Sequence, residues 1–177
     1  MLHGDRVALR APEDADMPLL ACIRNDVPLQ ASLLALPRPN DLRRVDEWTH
    51  RRLSEPDSLF FVVADRESDA ALGFIQLVSI DFVHRTGCLG ICLAEASRAK
   101  GCGSEALRLL ERYVQDVFGI RKIVLSTLAT NTPAISFYEK HGYASVGTHR
   151  EHFYHAGNFR DVLVMEKLLV SAAGRKA

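Results

Sequence analysis

The run Arg98-Ala99-Lys100-Gly101-Cys102-Gly103-Ser104 is the stretch best equipped for chemistry. Two glycines let the backbone approach a ligand with no Cβ in the way. An amphipathic helical pattern starts at Ser104, and a helix start presents unpaired N–H groups and the positive end of its dipole. Arg98 and Lys100 add positive charge. A pyrophosphate is the ligand that such a turn suits. A bare Gly-x-Gly could simply join a strand to a helix; the basic flanks and the position between two such elements favour a ligand. The Gly-x-x-x-x-Gly-Lys-Ser/Thr loop of ATPases and GTPases is absent. Gly101-x-Gly103-x-x-Ala106 fits a dinucleotide fingerprint. That fold needs an acidic residue about 20 positions on, for the ribose hydroxyls. Here the region reads Ile123-Val124-Leu125-Ser126-Thr127, so a nucleotide-dependent oxidoreductase is the weaker reading.

A second motif follows, Asn131-Thr-Pro-Ala134-Ile-Ser-Phe-Tyr138-Glu-Lys-His-Gly142-Tyr143. Arg98-x-x-Gly101-x-Gly103 matches the pyrophosphate signature Gln/Arg-x-x-Gly-x-Gly/Ala of the GNAT superfamily of acetyl-CoA-dependent N-acetyltransferases. The second motif resembles that family's Asn-x-x-Ala-x-x-x-Tyr-x-x-x-Gly-Phe/Tyr segment. The resemblance extends in element order from Arg6 to Leu168. It implies acetyl-CoA as co-substrate, and it implies the parts that hold it. The end of the fourth strand, at Ile91, Cys92 and Leu93, would pair with the pantetheine arm like an added strand. The Leu93 N–H would face the thioester oxygen. Arg98, Lys100, Gly101, Cys102, Gly103 and Ser104 would hold the pyrophosphate. Asn131 would hold the pantetheine amide region, and Tyr138 would aim its hydroxyl at the sulfur. An amine would then attack the thioester directly, with charge developing on the oxygen where a preorganised N–H helps most. A non-catalytic acyl-CoA-binding module is the alternative, against which the retention of Asn131 and Tyr138 counts.

The base is open. Related enzymes often place a Glu on the fourth strand, where this chain has Cys88 in Gly87-Cys88-Leu89-Gly90. A buried apolar thiol is the simpler reading of Cys88. Glu95, His84 and Asp81, or a water chain, are the other choices, and Glu95 lies just past the strand end. His149, His152 and His155 are spaced by three, which in a strand places neighbours on opposite faces; no metal site is expected.

These residues need elements to position them. Arg6–Ala11 reads as a strand and Glu13–Asn25 as a helix. Val27–Pro39, with Pro28, Pro37 and Pro39, reads as a mobile connection. Asn40 or Asp41 can cap a helix bearing Leu42, Val45, Trp48 and Leu53 on one side. Leu59–Ala64, Ala71–Ile80 and Arg85–Leu93 read as an antiparallel meander, with Gly73 at a bulge. A long amphipathic helix over Ser104–Phe118 stops at Gly119, and Lys122–Leu125 is a buried strand running parallel to the one before the helix. Thr132 caps a short helix with Pro133 at its first position. Tyr143–Tyr154 and Phe159–Leu168 close a hairpin. The order β-α-α-β-β-β-α-β-α-β-β predicts an α/β (α+β) layer fold, a mixed and mostly antiparallel sheet flanked by helices. One domain over residues 1–170 and a frayed tail over 171–177 are expected.

Composition agrees with this. The chain has 177 residues, 47% hydrophobic and 25% charged, with 22 basic and 22 acidic side chains. A balanced charge argues against a dedicated nucleic-acid or anionic-membrane binder. Met1–Met17 lacks the apolar run of a secretory signal, and Leu59–Ala64 is far short of the ~18 residues of a membrane span. Cys22, Cys88, Cys92 and Cys102 form no Cys-x-x-Cys pair, so a cytoplasmic protein with reduced thiols is expected. The segment Arg150–Asp161 resembles a branch that acetylates ribosomal-protein N-termini, amino sugars or polyamines, and the resemblance also admits a homodimer. In that branch the acceptor would lie between Val27–Pro39 and Arg150–Asp161. Arg38, Arg43, Arg44, Arg150 and Arg160 stand there beside Asp41, Glu151 and Asp161. A polyamine would favour a more acidic lining; arginines would suit a phosphorylated sugar nucleotide or an acidic peptide.

Overall fold

Alternating side chains on the strands supply two apolar faces, and helices cover both. A computed structural model describes residues 1–98 and 100–169; Ala99 and the tail expected over 171–177 lie outside the described residues. Eight strands form one sheet in the order β1-β2-β3-β4-β5-β6-β8-β7. They are β1 (Leu2–His3), β2 (Val7–Arg10), β3 (Leu59–Asp65), β4 (Ala71–Asp81), β5 (Thr86–Leu93), β6 (Lys122–Leu128), β7 (Ala144–His155) and β8 (Asn158–Leu168). Every pairing is antiparallel except β5 with β6. The helices are α1 (Met17–Asn25), α2 (Val27–Ser32), α3 (Leu42–Ser54), α4 (Cys102–Phe118) and α5 (Thr132–Lys140).

On β3 and β4, Phe60, Val62, Ala64 and Phe74 face α1 and α3, where Leu20, Ile23, Val45 and Trp48 meet them. Val63, Ile75 and Leu77 face the other way, onto Leu107, Leu110 and Val114 of α4. Helix, sheet and helix therefore stack as three layers, as the mixed fold predicts.

Several boundaries differ from the sequence reading. Val27–Ser32 is a helix, not a connection, because Asp26 accepts from the Leu29 N–H and Pro28 fits the first turn. Residues Asp14–Asp16 form a 3-10 turn before α1. On α3, Asp41 is the cap, but Leu42 and Leu53 are exposed and Thr49 is buried instead. Asn131, not Thr132, caps α5, accepting from the Ala134 N–H at 3.3 Å. The β4 register shifts at Gly73, where a Cβ would stand 2.1 Å from the Cys92 carbonyl oxygen. Only a glycine lets β4 come that close to β5. No helix among the described residues is long and apolar enough to cross a membrane.

Candidate functional site

The parallel pair β5–β6 is short. Thr86, Gly87 and Cys88 pair with Lys122, Ile123 and Val124, and pairing stops there. Beyond Cys88 the two strands diverge, β5 staying with β4 to Leu93 and β6 with β8 to Leu128. The Ala94 N–H donates to Leu72 of the neighbouring strand region. Successive amides on a strand point to opposite sides. The N–H and C=O of Leu93, and of Ile91, are thus turned toward the opening, whereas those of Cys92 are turned toward β4. Consistent with this, Arg98 Nε donates to the Leu93 oxygen at 3.0 Å. An extended chain entering the opening would meet the strand edge at Ile91 and Leu93, where Arg98 already holds the Leu93 carbonyl.

At the mouth of this opening α4 begins two residues earlier than its sequence pattern suggests. Gly101 is its N-cap at φ +83°, a left-handed conformation that glycine adopts without strain. Glu105 N–H closes the first turn on the Gly101 oxygen. Cys102, Gly103 and Ser104 therefore carry the N–H groups that have no carbonyl one turn back. Nothing stands within 4 Å of the position of a Cβ on Gly101. The Cys102 side chain is buried in the core, so only its backbone faces outward. Arg98 and Lys100 are exposed at the rim, and the Lys100 carbonyl accepts from Arg6.

Tyr138 is buried on α5, packed edge-on against Phe137 and Tyr143. Burial pushes its phenol well above the usual range, and the nearby Cys88 and Cys92 push it the same way. That closeness places Tyr138 beside β5 where β5 and β6 part. The proton stays on the phenol through neutral pH. Asn131 Oδ1 is engaged in capping, which leaves its NH2 group to reach a ligand.

Cys88, at the fourth-strand position where related enzymes often carry a Glu, has its thiol pKa raised by burial. Burial likewise lifts Cys92, to about 12. Asp81 Oδ1 accepts from Val83 and His84 in the β4–β5 turn, at the end of β5 opposite Leu93. Glu95 is exposed and, with Arg98, lines a cavity of about 290 Å³ beside α1 and α2. The expected histidine alternation fails: a bulge between His149 and Phe153 brings the His149 and His152 rings to 4.9 Å. Among the described residues no group of three His, Cys, Asp or Glu is placed to hold a metal.

Of the two segments expected to flank the acceptor, Val27–Pro39 lines both cavities, with Leu29 in one and Gln30 in the other. Arg38, Arg43, Arg44, Arg150 and Arg160 are all exposed. No residue of Arg150–Asp161 lines either cavity at the cleft. Arg98 lines the smaller of the two, and Arg24 of α1 and Arg52 of α3 line the other, a cavity of about 330 Å³ that reaches Cys88, Gly90 and Ser126 at the parting of β5 and β6. Nothing in local spacing marks Arg24 and Arg52, because packing alone brings the helices together.

Comparison with known proteins follows the same outline. Residues 6–144 match the family model described as an acetyltransferase (GNAT) domain. A spermidine N(1)-acetyltransferase of Vibrio cholerae serotype O1 is 23% identical over 159 residues, 90% of this chain and 91% of that one. The crystal structure of spermidine N-acetyltransferase from Vibrio cholerae in complex with CoA and spermine superposes with a TM-score of 0.86 at 23% identity. It covers 94% of this chain and 97% of its own. A dodecameric structure of spermidine N-acetyltransferase from Vibrio cholerae has a TM-score of 0.80 at 22% identity and covers 98% and 100%.

Proposed function

The chain belongs to the acetyltransferase (GNAT) domain family, and we propose that it passes an acetyl group from acetyl-CoA directly to a primary amine, with both held where β5 and β6 part. The family makes it an acyl-CoA-dependent N-acetyltransferase. The observation carrying this reading is the edge of β5 at Ile91 and Leu93 turned into the opening, with the buried Tyr138 near Cys88 and Cys92 of the same strand.

In this reading the pantetheine arm lies along Ile91–Leu93 as an added strand. Pyrophosphate sits on the Cys102, Gly103 and Ser104 amides, with Arg98 and Lys100 at its rim and Gly101 shaping the turn. Asn131 steadies the pantetheine amides. The amine nitrogen attacks the thioester carbonyl, and the Leu93 N–H takes the charge that builds on oxygen. The C–S bond then breaks, and the sulfur accepts a hydrogen bond from Tyr138. A thiol near 8.5 leaves readily as thiolate, so the phenol need not give up its proton. Burial favours the protonated thiol of Cys88, which leaves no thiolate there to take the amine's proton. Glu95, at the mouth of the adjoining cavity, can receive the amine's proton through water.

A polyamine is the acceptor that the relatives' names bring to this chain, and the cavity lining speaks against it, as argued below. Self-association into a homodimer or larger assembly fits the β7–β8 hairpin. Its edge strand β7 is exposed along nearly its whole length, and Tyr154 and Phe159 pair at its tip while both 62% exposed.

The test is acetyl-CoA binding followed by free-thiol release. Acetyl-CoA should raise the melting temperature and NADH should not. Gly103→Leu should abolish that rise. Undiminished affinity in this variant would count against the pyrophosphate cradle, and binding without thiol release from any amine would leave only an acyl-CoA-binding module.

A further inference from the structure

We propose that the acceptor is a small anionic amine, whose carboxylate or phosphate is held by Arg24 and Arg52 in the cavity beneath α1 and α3. The inference rests on the acetyltransferase reading above and names its acceptor class. The cavity of about 330 Å³ is lined by Arg24, Arg52, Gln30, Gln76 and Trp48 among others, and no carboxylate lines it. It is near the lower end of small-molecule sites. One end reaches Cys88, Gly90 and Ser126 where β5 and β6 part, next to the Ile91–Leu93 edge along which the pantetheine arm lies in this reading.

One of the two cations in this cavity, Arg24, has no counter-charge among the described residues, and the other, Arg52, is paired with Glu55 through one nitrogen alone. The Arg24 guanidinium carbon lies over the Trp48 ring, 4.5 Å from its centroid, and Arg24 makes no ion pair among the described residues. Burial and repulsion from Arg52 and Arg51 pull its pKa below the usual guanidinium range. Arg52 spends Nη1 on Glu55 at 2.9 Å. The Nε atoms of both arginines are buried without a hydrogen-bond partner, and so is Gln76 Oε1. Two guanidiniums with free donors form a bidentate seat for a carboxylate or phosphate. Gln76 Oε1 offers the matching acceptor for an amine N–H. A polyamine would bring further ammonium groups against two half-buried guanidiniums and find no carboxylate in the lining to pair with.

The experiment measures thiol release from acetyl-CoA with glucosamine 6-phosphate, L-glutamate or spermidine as acceptor. Binding is followed by the fluorescence of Trp48, the sole tryptophan. One or both anionic amines should be acetylated with kcat/KM well above that of spermidine, and should shift Trp48 emission saturably. The better of the two shows whether the anion is a phosphate or a carboxylate. Arg24→Gln should raise the acceptor KM by about 10–100-fold, the loss of a charged hydrogen bond, while the KM for acetyl-CoA stays put. Arg24→Lys should recover much of the loss. Preference for spermidine, an unchanged acceptor KM in Arg24→Gln, or acetyl-CoA binding with no release from either anionic amine overturns the inference alone. Failure to bind acetyl-CoA at all would instead remove the acetyltransferase reading beneath it.

Discussion

Tyr138 combines burial with a hydroxyl, which gives it two uses. As a core residue it packs between Phe137 and Tyr143. As a donor it keeps its proton because charge is disfavoured there. Tyr138→Phe retains the packing and removes the donor. It should lower kcat by roughly 10²–10⁴ and leave CoA affinity little changed; unchanged turnover would end its role as donor. The pH profile follows from the direction of the shift. The rate should rise with pH as the acceptor amine loses its proton. It should then stay level to about pH 10, because the phenol is still protonated where an ordinary tyrosine would be titrating. An alkaline fall below that point would contradict the raised pKa.

At the scale of elements, α4 is held as firmly as it is exposed. Its Glu105 accepts backbone N–H bonds from Asp5 at 2.6 Å, Arg6 at 2.9 Å and Val7 at 3.2 Å. The β1–β2 turn is thereby tied to the first turn of the helix whose amides face the cleft. A carboxylate there also complements the helix dipole. Further along, Glu111 takes Tyr143 Oη at 3.0 Å and Lys167 Nζ at 2.7 Å, binding α4 to the segment after α5 and to β8. Glu105→Ala strips the partner from these backbone donors and should cost about 2–4 kcal/mol in urea unfolding. Glu105→Gln should recover part of it. A loss under about 1 kcal/mol, the worth of one ordinary hydrogen bond, would mean that water replaces the carboxylate freely. The N-terminal anchor has a parallel: the buried Arg10 places all its donors on Asp16, Asp69 and Ala11.

For the molecule as a whole, the β7–β8 hairpin is the feature least explained by one copy. β8 pairs with β6 only over Val162–Leu168, so the outer half of the hairpin packs on no other strand of the sheet. Exposed aromatic pairs on such an arm are the usual material of an interface. The protein should therefore run larger than a monomer in light scattering. Tyr154→Ser with Phe159→Ser should shift it toward the monomer while the unfolding midpoint of the isolated fold changes little. A monomeric wild type would remove the role of the arm.

Local sequence determined most of the elements, though not α2, and the glycine turn proposed to hold the pyrophosphate. Gly101 at positive φ, the amphipathic run of α4, the bulge at Gly73 and the parallel β5–β6 crossover all follow from short-range spacing, because backbone conformation and periodicity are local properties. The Ala156-Gly157 turn, with φ of +49° and +81°, belongs with them. Tertiary packing alone decided the acceptor side. Arg24 and Arg52 lie 28 residues apart in sequence, by subtraction of their numbers, and converge only because α1 and α3 share the apolar face of β3 and β4. The arginines conspicuous in the sequence near Val27–Pro39 and Arg150–Asp161 stay in solvent. A charge becomes selective only where water is excluded from it, and which charges lose water is settled by long-range packing.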